Sequence, residues 1–167
     1  VARVDIFGGV RTADEEKARG QGLLVTIGGE LDRAYLGAVA GLDPGRSAAG
    51  RRDIRIVYTP LHGAGRVPVM AALQALGYGN VWLVDSQAEP DGGFPTVKTP
   101  DPADRAVYGE AVRLAREKNA GLILATDPDC DRLGAAVKNK GGGYDVLGGS
   151  ELGALLTHFL LTSKKQV

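Results

Sequence analysis

Three aspartates alternate over five residues in the run Asp127-Pro128-Asp129-Cys130-Asp131-Arg132, directly after the apolar stretch Leu122-Ile123-Leu124-Ala125. In locally extended backbone, alternate side chains share one side. All three carboxylates would then converge, and uncompensated negative charges at short range repel strongly. A cation is the natural partner. Oxygen donors with no histidine or cysteine cluster beside them favour a hard ion such as Mg²⁺. Asp127, Asp129 and Asp131 are therefore the candidate metal ligands. Cys130 would point away from the ion, as a small residue packed behind the loop. A solvated acidic turn is the bland alternative, but the position at a strand end, where ligands collect in α/β sheets, weighs against it. A calcium-binding EF-hand loop is excluded. Arg132 stands where that loop needs glycine at position six, and Lys138 stands where it needs glutamate at position twelve.

Two further segments could line a site. Thr59-Pro60-Leu61-His62-Gly63-Ala64-Gly65 follows the β-branched run Ile54 to Tyr58 and precedes a helical pattern. Backbone N–H groups at such a turn can face an anion, and small residues there also let helix and strand pack closely. A lone histidine such as His62 is more often structural than catalytic. Gly63 and Gly65, with Asp85 at the end of the next strand, also sketch a dinucleotide-binding fingerprint of the Rossmann type. Pro68 occupies the place of its third glycine. The third segment, Phe94 to Pro102, is stiffened by Pro95, Pro100 and Pro102. Lys98 within it could reach a phosphate, although a solvated lysine is the default.

The elements that must position these groups follow a regular rhythm. Ile54–Tyr58, Val81–Val84 and Leu122–Ala125 read as strands. Helices are expected over Arg66–Leu76 and from Asp101, with Asp101 as N-cap and Pro102 in the first helical position, to Asn119. A short strand over Leu133–Val137 and a partner over Tyr144–Leu147 flank Gly141-Gly142-Gly143, which predicts a hairpin. Ser150 caps a last helix over Glu151–Leu161. Alternating strands and helices imply right-handed crossovers and parallel neighbours. The fold class expected is α/β: a three-layer α/β/α sandwich with a mostly parallel sheet and an antiparallel edge hairpin. Ahead of this core, a helix opening at Thr12, an extended Leu23–Ile27 and a helix over Glu30–Leu42 are expected, with 42–52 as a linker.

Composition sets outer limits. The 167 residues suffice for one ordinary domain. Twenty basic residues balance twenty acidic ones, so there is no basic excess to release counterions from a nucleic acid. No apolar run approaches the roughly 20 residues of a membrane-spanning helix, so neither nucleic acid nor membrane is an expected partner. The single cysteine excludes an internal disulfide framework and a multi-cysteine zinc site. A reducing compartment is compatible with that, and the cytoplasm is the expected location. The chain opens on Val1, with neither an initiator methionine nor a signal-peptide pattern, and reads as a piece of something longer.

Tyr58-Thr-Pro-Leu-His-Gly-Ala-Gly65, Phe94-Pro-Thr-Val-Lys-Thr-Pro-Asp-Pro102 and Thr126-Asp-Pro-Asp-Cys-Asp-Arg132 occur in this order, with Gly149-Ser-Glu-Leu-Gly-Ala-Leu-Leu156 after them. Together they resemble the second, metal-binding domain of the α-D-phosphohexomutases, the phosphoglucomutase/phosphomannomutase family, over about residues 30 to 167. The resemblance implies a four-domain enzyme that exchanges a phosphoryl group between O1 and O6 of a hexose. It would work through a phosphoserine and a hexose bisphosphate, glucose 1,6-bisphosphate or its mannose equivalent, with Mg²⁺ as cofactor. It assigns Asp127, Asp129 and Asp131 to the metal and Arg132 to the bisphosphate or the transferring phosphoryl group. Asp131 and Arg132 would adjoin the substrate. The expected partners are a hexose phosphate and the other domains of the parent enzyme. No Ser-His-Asn-Pro-type phosphoserine loop occurs in these residues, so the chain is expected to be inactive alone.

That resemblance implies three divisions: 1–50 as a linker and helical segment from the preceding domain boundary, 51–148 as the α/β/α core, and 149–167 as an exit helix. Three other readings compete. Gly63, Gly65 and Asp85 suggest an NAD(P)-dependent oxidoreductase. Asp127 and Asp129 have the spacing of a haloacid-dehalogenase-like phosphatase, without its small hydroxyl residue two positions on. A binding module that kept the fold and lost the chemistry is the third.

Overall fold

A computed structural model describes Asp5, residues 8–42 and residues 52–163. Most of the expected 42–52 linker lies outside the described residues. The chain divides into two units, Val1–Ala34 and Tyr35–Val167.

In the first unit, α1 (Glu15–Gly20) starts two residues later than a Thr12 cap would place it. Asp14 is the cap: its carboxylate accepts the Lys17 N–H at 2.9 Å, which satisfies one of the open donors of the first turn. Glu15 pairs with Arg19 across one turn at 2.8 Å. Leu23–Ile27 is not part of a strand among the described residues. Helix α2 (Gly29–Gly41), whose first six residues fall in the first unit and the rest in the second, matches the spacing of its apolar residues, yet Leu31 and Tyr35 on its stripe are exposed.

The second unit is built on one five-stranded sheet in the order β2-β1-β3-β4-β5. Strand β1 (Ile56–Thr59) pairs parallel with β2 (Val81–Leu83) on one side and parallel with β3 (Leu122–Thr126) on the other. The β-branched runs thus form parallel neighbours as the sequence predicts. Strands β4 (Leu133–Lys138) and β5 (Tyr144–Leu147) complete the sheet antiparallel. Helix α3 (Arg66–Ala75) carries the chain from β1 out to β2, and α4 (Gly109–Glu117) carries it back across β1 to β3. Right-handed crossovers running in opposite directions along a sheet put their helices on opposite faces, which makes the third layer. All four residues of β1 are buried, as a central strand covered on both faces requires. Ala111 and Ala115 of α4 pack on Val57, Ile123 and Ala125, and small side chains there let the helix lie close to the sheet.

The helix expected from Asp101 does not start there. A 3₁₀ turn, Arg105–Tyr108, precedes α4, and its cap is Asp104, whose carboxylate accepts the Ala106 N–H at 2.9 Å. Asp101 closes its own turn onto the Ala103 N–H at 2.9 Å. The final helix α5 (Gly149–Ser163) begins before Ser150. Glu151 accepts the Gly148 N–H at 2.7 Å, the reach-back half of a capping box.

Tyr58 on β1 and Tyr108 at the start of α4 are buried phenols, and burial pushes both pKa values up to about 12 from 10.0. Between those values the folded chain keeps protons that the unfolded chain has lost. The stability contributed is therefore complete below about pH 10 and lost as pH rises through 12. The unfolding free energy is expected to fall more steeply over this window in the wild-type chain than in Tyr58→Phe. Equal slopes in denaturant titrations at pH 10 and 12 would contradict this.

Candidate metal centre

The three loops at the carboxyl ends of the parallel strands meet beside β1 and β3. The chain leaves β1 toward β2 and leaves β3 toward β4, so the two loops diverge from adjacent strands, the place where α/β sheets bind ligands. The aspartate loop is closed on itself. Cys130 N–H donates to the Asp127 carbonyl at 3.0 Å, and Asp127 N–H reaches the Arg132 carbonyl at 3.4 Å. The loop is a tight turn rather than an extended segment, because Cys130 sits in the left-handed region at φ 63°. The carboxylates nevertheless converge: one oxygen from each of Asp127, Asp129 and Asp131 lies within 4.8 Å of the others.

The three acids are not equivalent. Asp127 is 2% exposed, whereas Asp129 and Asp131 are open to solvent. Both Asp127 oxygens are engaged by one residue: Oδ1 accepts the Arg132 backbone N–H at 3.0 Å and Oδ2 accepts the Arg132 Nε–H at 2.8 Å. Burial works against the Asp127 charge, but these two donors, with the Asp131 hydrogen bond and the Arg132 charge, outweigh it and hold its pKa below the usual carboxylate value. Asp131 shifts upward, through its hydrogen bond with Asp127 and repulsion from Asp129 and Asp127. Crowded acids of this kind are relieved by a divalent cation. The donor set, three carboxylates and no nitrogen or sulfur ligand, fits a hard ion.

Arg132 turns its fork to a second acid that the sequence did not reveal. Nη1 lies 3.0 Å from Asp101 Oδ2. The Ala103 N–H and then the Arg132 guanidinium hold the Asp101 carboxyl below its ordinary value. The Arg132 side chain is 53% exposed, so it is clamped on one side and open on the other. Residues of the proline-stiffened segment thus help to aim Arg132, through Asp101 rather than through Lys98, which lies exposed.

The glycines of the 59–65 turn serve close packing. A Cβ on Gly63 would collide with the Pro128 Cα, C and O atoms, and one on Gly65 would lie 2.7 Å from Thr126 Oγ1 and 2.8 Å from Cys130 Sγ. The small residues of the turn are thus occupied by the aspartate loop itself, which removes the room a dinucleotide pyrophosphate would need. Cys130 is half-buried, with its sulfur close against Gly65. His62, 6% exposed, is buried and hydrogen-bonded. No helix among the described residues is long and apolar enough to cross a membrane.

The family model for phosphoglucomutase/phosphomannomutase, alpha/beta/alpha domain II, matches residues 33–142. A phosphoglucomutase of Staphylococcus haemolyticus is 42% identical over 109 residues, 65% of this chain and 20% of that protein. A phosphoglucomutase of Staphylococcus aureus strain USA300 is 35% identical over 117 residues, 70% of this chain and 21% of that protein. The chain therefore spans about a fifth of the length of these curated relatives. Among solved structures, a phosphoglucomutase/phosphomannomutase family protein of Burkholderia thailandensis aligns with a TM-score of 0.49 at 24% identity, covering 68% of this chain and 22% of that one. With the match spanning well over half of the chain, this protein belongs to the phosphoglucomutase/phosphomannomutase family and carries its α/β/α domain II.

Proposed function

We propose that this domain supplies the metal-holding and phosphate-facing side chains of a phosphohexomutase that interconverts hexose 1-phosphate and hexose 6-phosphate. The convergence of the Asp127, Asp129 and Asp131 oxygens within 4.8 Å of one another carries the reading. In the reaction, a phosphoserine on another domain of the parent enzyme gives its phosphoryl group to the sugar phosphate. The resulting bisphosphate returns its other phosphoryl group to the serine. Mg²⁺, when bound, would offset the negative charge of the transferring group. The chain's own residues do the remaining work. Arg132 holds Asp127 in place with its backbone and Nε and turns its open side to phosphate oxygens, which a planar fork matches and an ammonium does not. Asp101 restrains that fork in one plane, and Asp131 borders the sugar phosphate. Such sites act chiefly by positioning and charge compensation. The serine and the groups that hold the sugar come from other domains of the parent, whose compartment we take to be the cytoplasm.

A coupled assay of glucose 1-phosphate conversion, with glucose 1,6-bisphosphate and Mg²⁺ supplied, tests the assignment of Arg132. In the intact parent enzyme, Arg132→Lys is expected to lower turnover roughly a hundredfold, the scale of losing a donor to a charged transition state, with a much smaller effect on melting temperature. The 167-residue chain alone is expected to show no turnover. Wild-type turnover in Arg132→Lys together with a large loss of melting temperature would reverse the assignment.

A further inference from the structure

Beside the aspartate loop lies a chain of hydrogen-bonded polar side chains, three of them buried, that the proposed chemistry does not use. Thr59 Oγ1 donates to Gln87 Oε1 at 2.7 Å, Gln87 Nε2 donates to Thr96 Oγ1 at 3.0 Å, and Thr96 Oγ1 lies 2.8 Å from His62 Nε2. The other ring nitrogen, Nδ1, lies 3.3 Å from the Glu89 carbonyl. Thr59 and Gln87 are buried with His62. The partners fix the protons. A carbonyl only accepts, so Nδ1 carries the hydrogen; an amide nitrogen only donates, so the Thr96 oxygen accepts from Gln87 and its single hydroxyl proton is left for Nε2. With the protons placed so, each polar atom of the chain has a partner and the His62 hydrogen sits on Nδ1.

The network ends on the metal loop. Leu61 and His62 both hold left-handed backbone, at φ 47° and 63°, a conformation that β-carbon-bearing residues keep only where the surroundings enforce it. The His62 N–H donates to the Gln87 carbonyl at 2.9 Å, and the Asp91 N–H donates to the His62 carbonyl at 3.1 Å. One residue further on, Gly63 lies against the Pro128 backbone with no room for a Cβ. The Ala64 N–H then donates to the Pro128 carbonyl at 2.8 Å. Pro128 is the residue between Asp127 and Asp129. A shift of the turn would therefore be passed to the ligands as a change in their spacing.

We propose that His62, keyed by the Thr96 hydroxyl, is a positioning residue for the aspartate loop, so that the Phe94–Pro102 segment sets the order and the cation affinity of the carboxylate cluster. The inference rests on the metal reading for its affinity part only; the ordering of the loop is independent of any ion.

Thr96 is exposed on its loop, so Thr96→Val removes the keying proton without opening the core. In this variant the Gln87 amide loses its acceptor and His62 Nε2 loses its donor. Native-state hydrogen exchange on the metal-free chain is expected to quicken about tenfold at the Ala64 and Cys130 amides, the scale of one unsatisfied polar pair. The Val57 and Ile123 amides on the central strands should be unchanged. Thr96→Ser, which keeps the hydroxyl, should restore wild-type exchange. Long-range proton–nitrogen spectra should show His62 protonated at Nδ1. Mn²⁺ titration, read by relaxation of the loop amides, should give several-fold weaker binding in Thr96→Val than in the wild type. Wild-type exchange in Thr96→Val, equal exchange in the valine and serine variants, or a proton on Nε2 would overturn the proposal. A wild-type chain that ignores Mn²⁺ would instead overturn the metal reading, with the exchange comparison still deciding the positioning role.

Discussion

Gly63→Ala is expected to destabilise the domain by roughly 3 kcal/mol. The added carbon would meet backbone, not a side chain that can rotate away: Pro128 Cα, C and O all lie at its position. Overpacking of this kind costs on the order of 1–3 kcal/mol. The forced separation also stretches the Ala64 N–H to Pro128 carbonyl bond, worth about another 1 kcal/mol. For a domain of this size that corresponds to a fall in melting temperature of roughly 10 °C. Calorimetry of the purified variant measures it. A shift of only a degree or two would mean that the two loops are not pressed together as described. The contrasting substitution is Gly121→Ala, which has open space at its Cβ position and should leave the melting temperature near that of the wild type.

Much of this architecture is written locally. Ile56-Val57-Tyr58, Val81-Trp82-Leu83 and Leu122-Ile123-Leu124 are strands because β-branched and apolar runs bounded by turn residues have few other ways to bury themselves. Their parallel order follows from the helices between them. The acidic cluster was also legible, but its geometry was not. Alternation suggested an extended segment, whereas the carboxylates converge around a tight turn made by the left-handed Cys130. That turn depends on Gly65 leaving room for the Cys130 sulfur, a contact between loops far apart in sequence. Asp101 shows the same limit. Asp followed by Pro is a sound helix-start signal, but the Asp101 carboxylate is drawn to the Ala103 amide and to Arg132, and Asp104 caps the next turn instead. His62 could be recognised only as a lone histidine. Its partners Gln87 and Thr96 become neighbours through the fold, and no local pattern marks them.

Asp129→Asn is expected to weaken divalent-cation binding by well over tenfold, the lower end of what even supporting contacts to a metal ligand contribute. The substitution keeps shape and removes charge. Asp129 is exposed and its ring of neighbours is acidic, so it lowers repulsion in the metal-free loop and should not destabilise the fold. A loss of binding without a loss of stability therefore isolates the role of the carboxylate as a ligand. With only three protein oxygens offered to Mg²⁺, an ion slow to shed its water, the wild-type chain by itself is expected to bind in the millimolar range.

Titration of the isotope-labelled 167-residue chain with Mg²⁺, followed through the amide resonances of Asp127 to Arg132, tests the metal assignment most directly. The predicted result is a saturable shift confined to this loop and the 63–65 turn that touches it, present in the wild type and absent in Asp129→Asn over the same concentrations. Resonances that stay indifferent to Mg²⁺ up to tens of millimolar, or that move identically in the two proteins, would contradict the account.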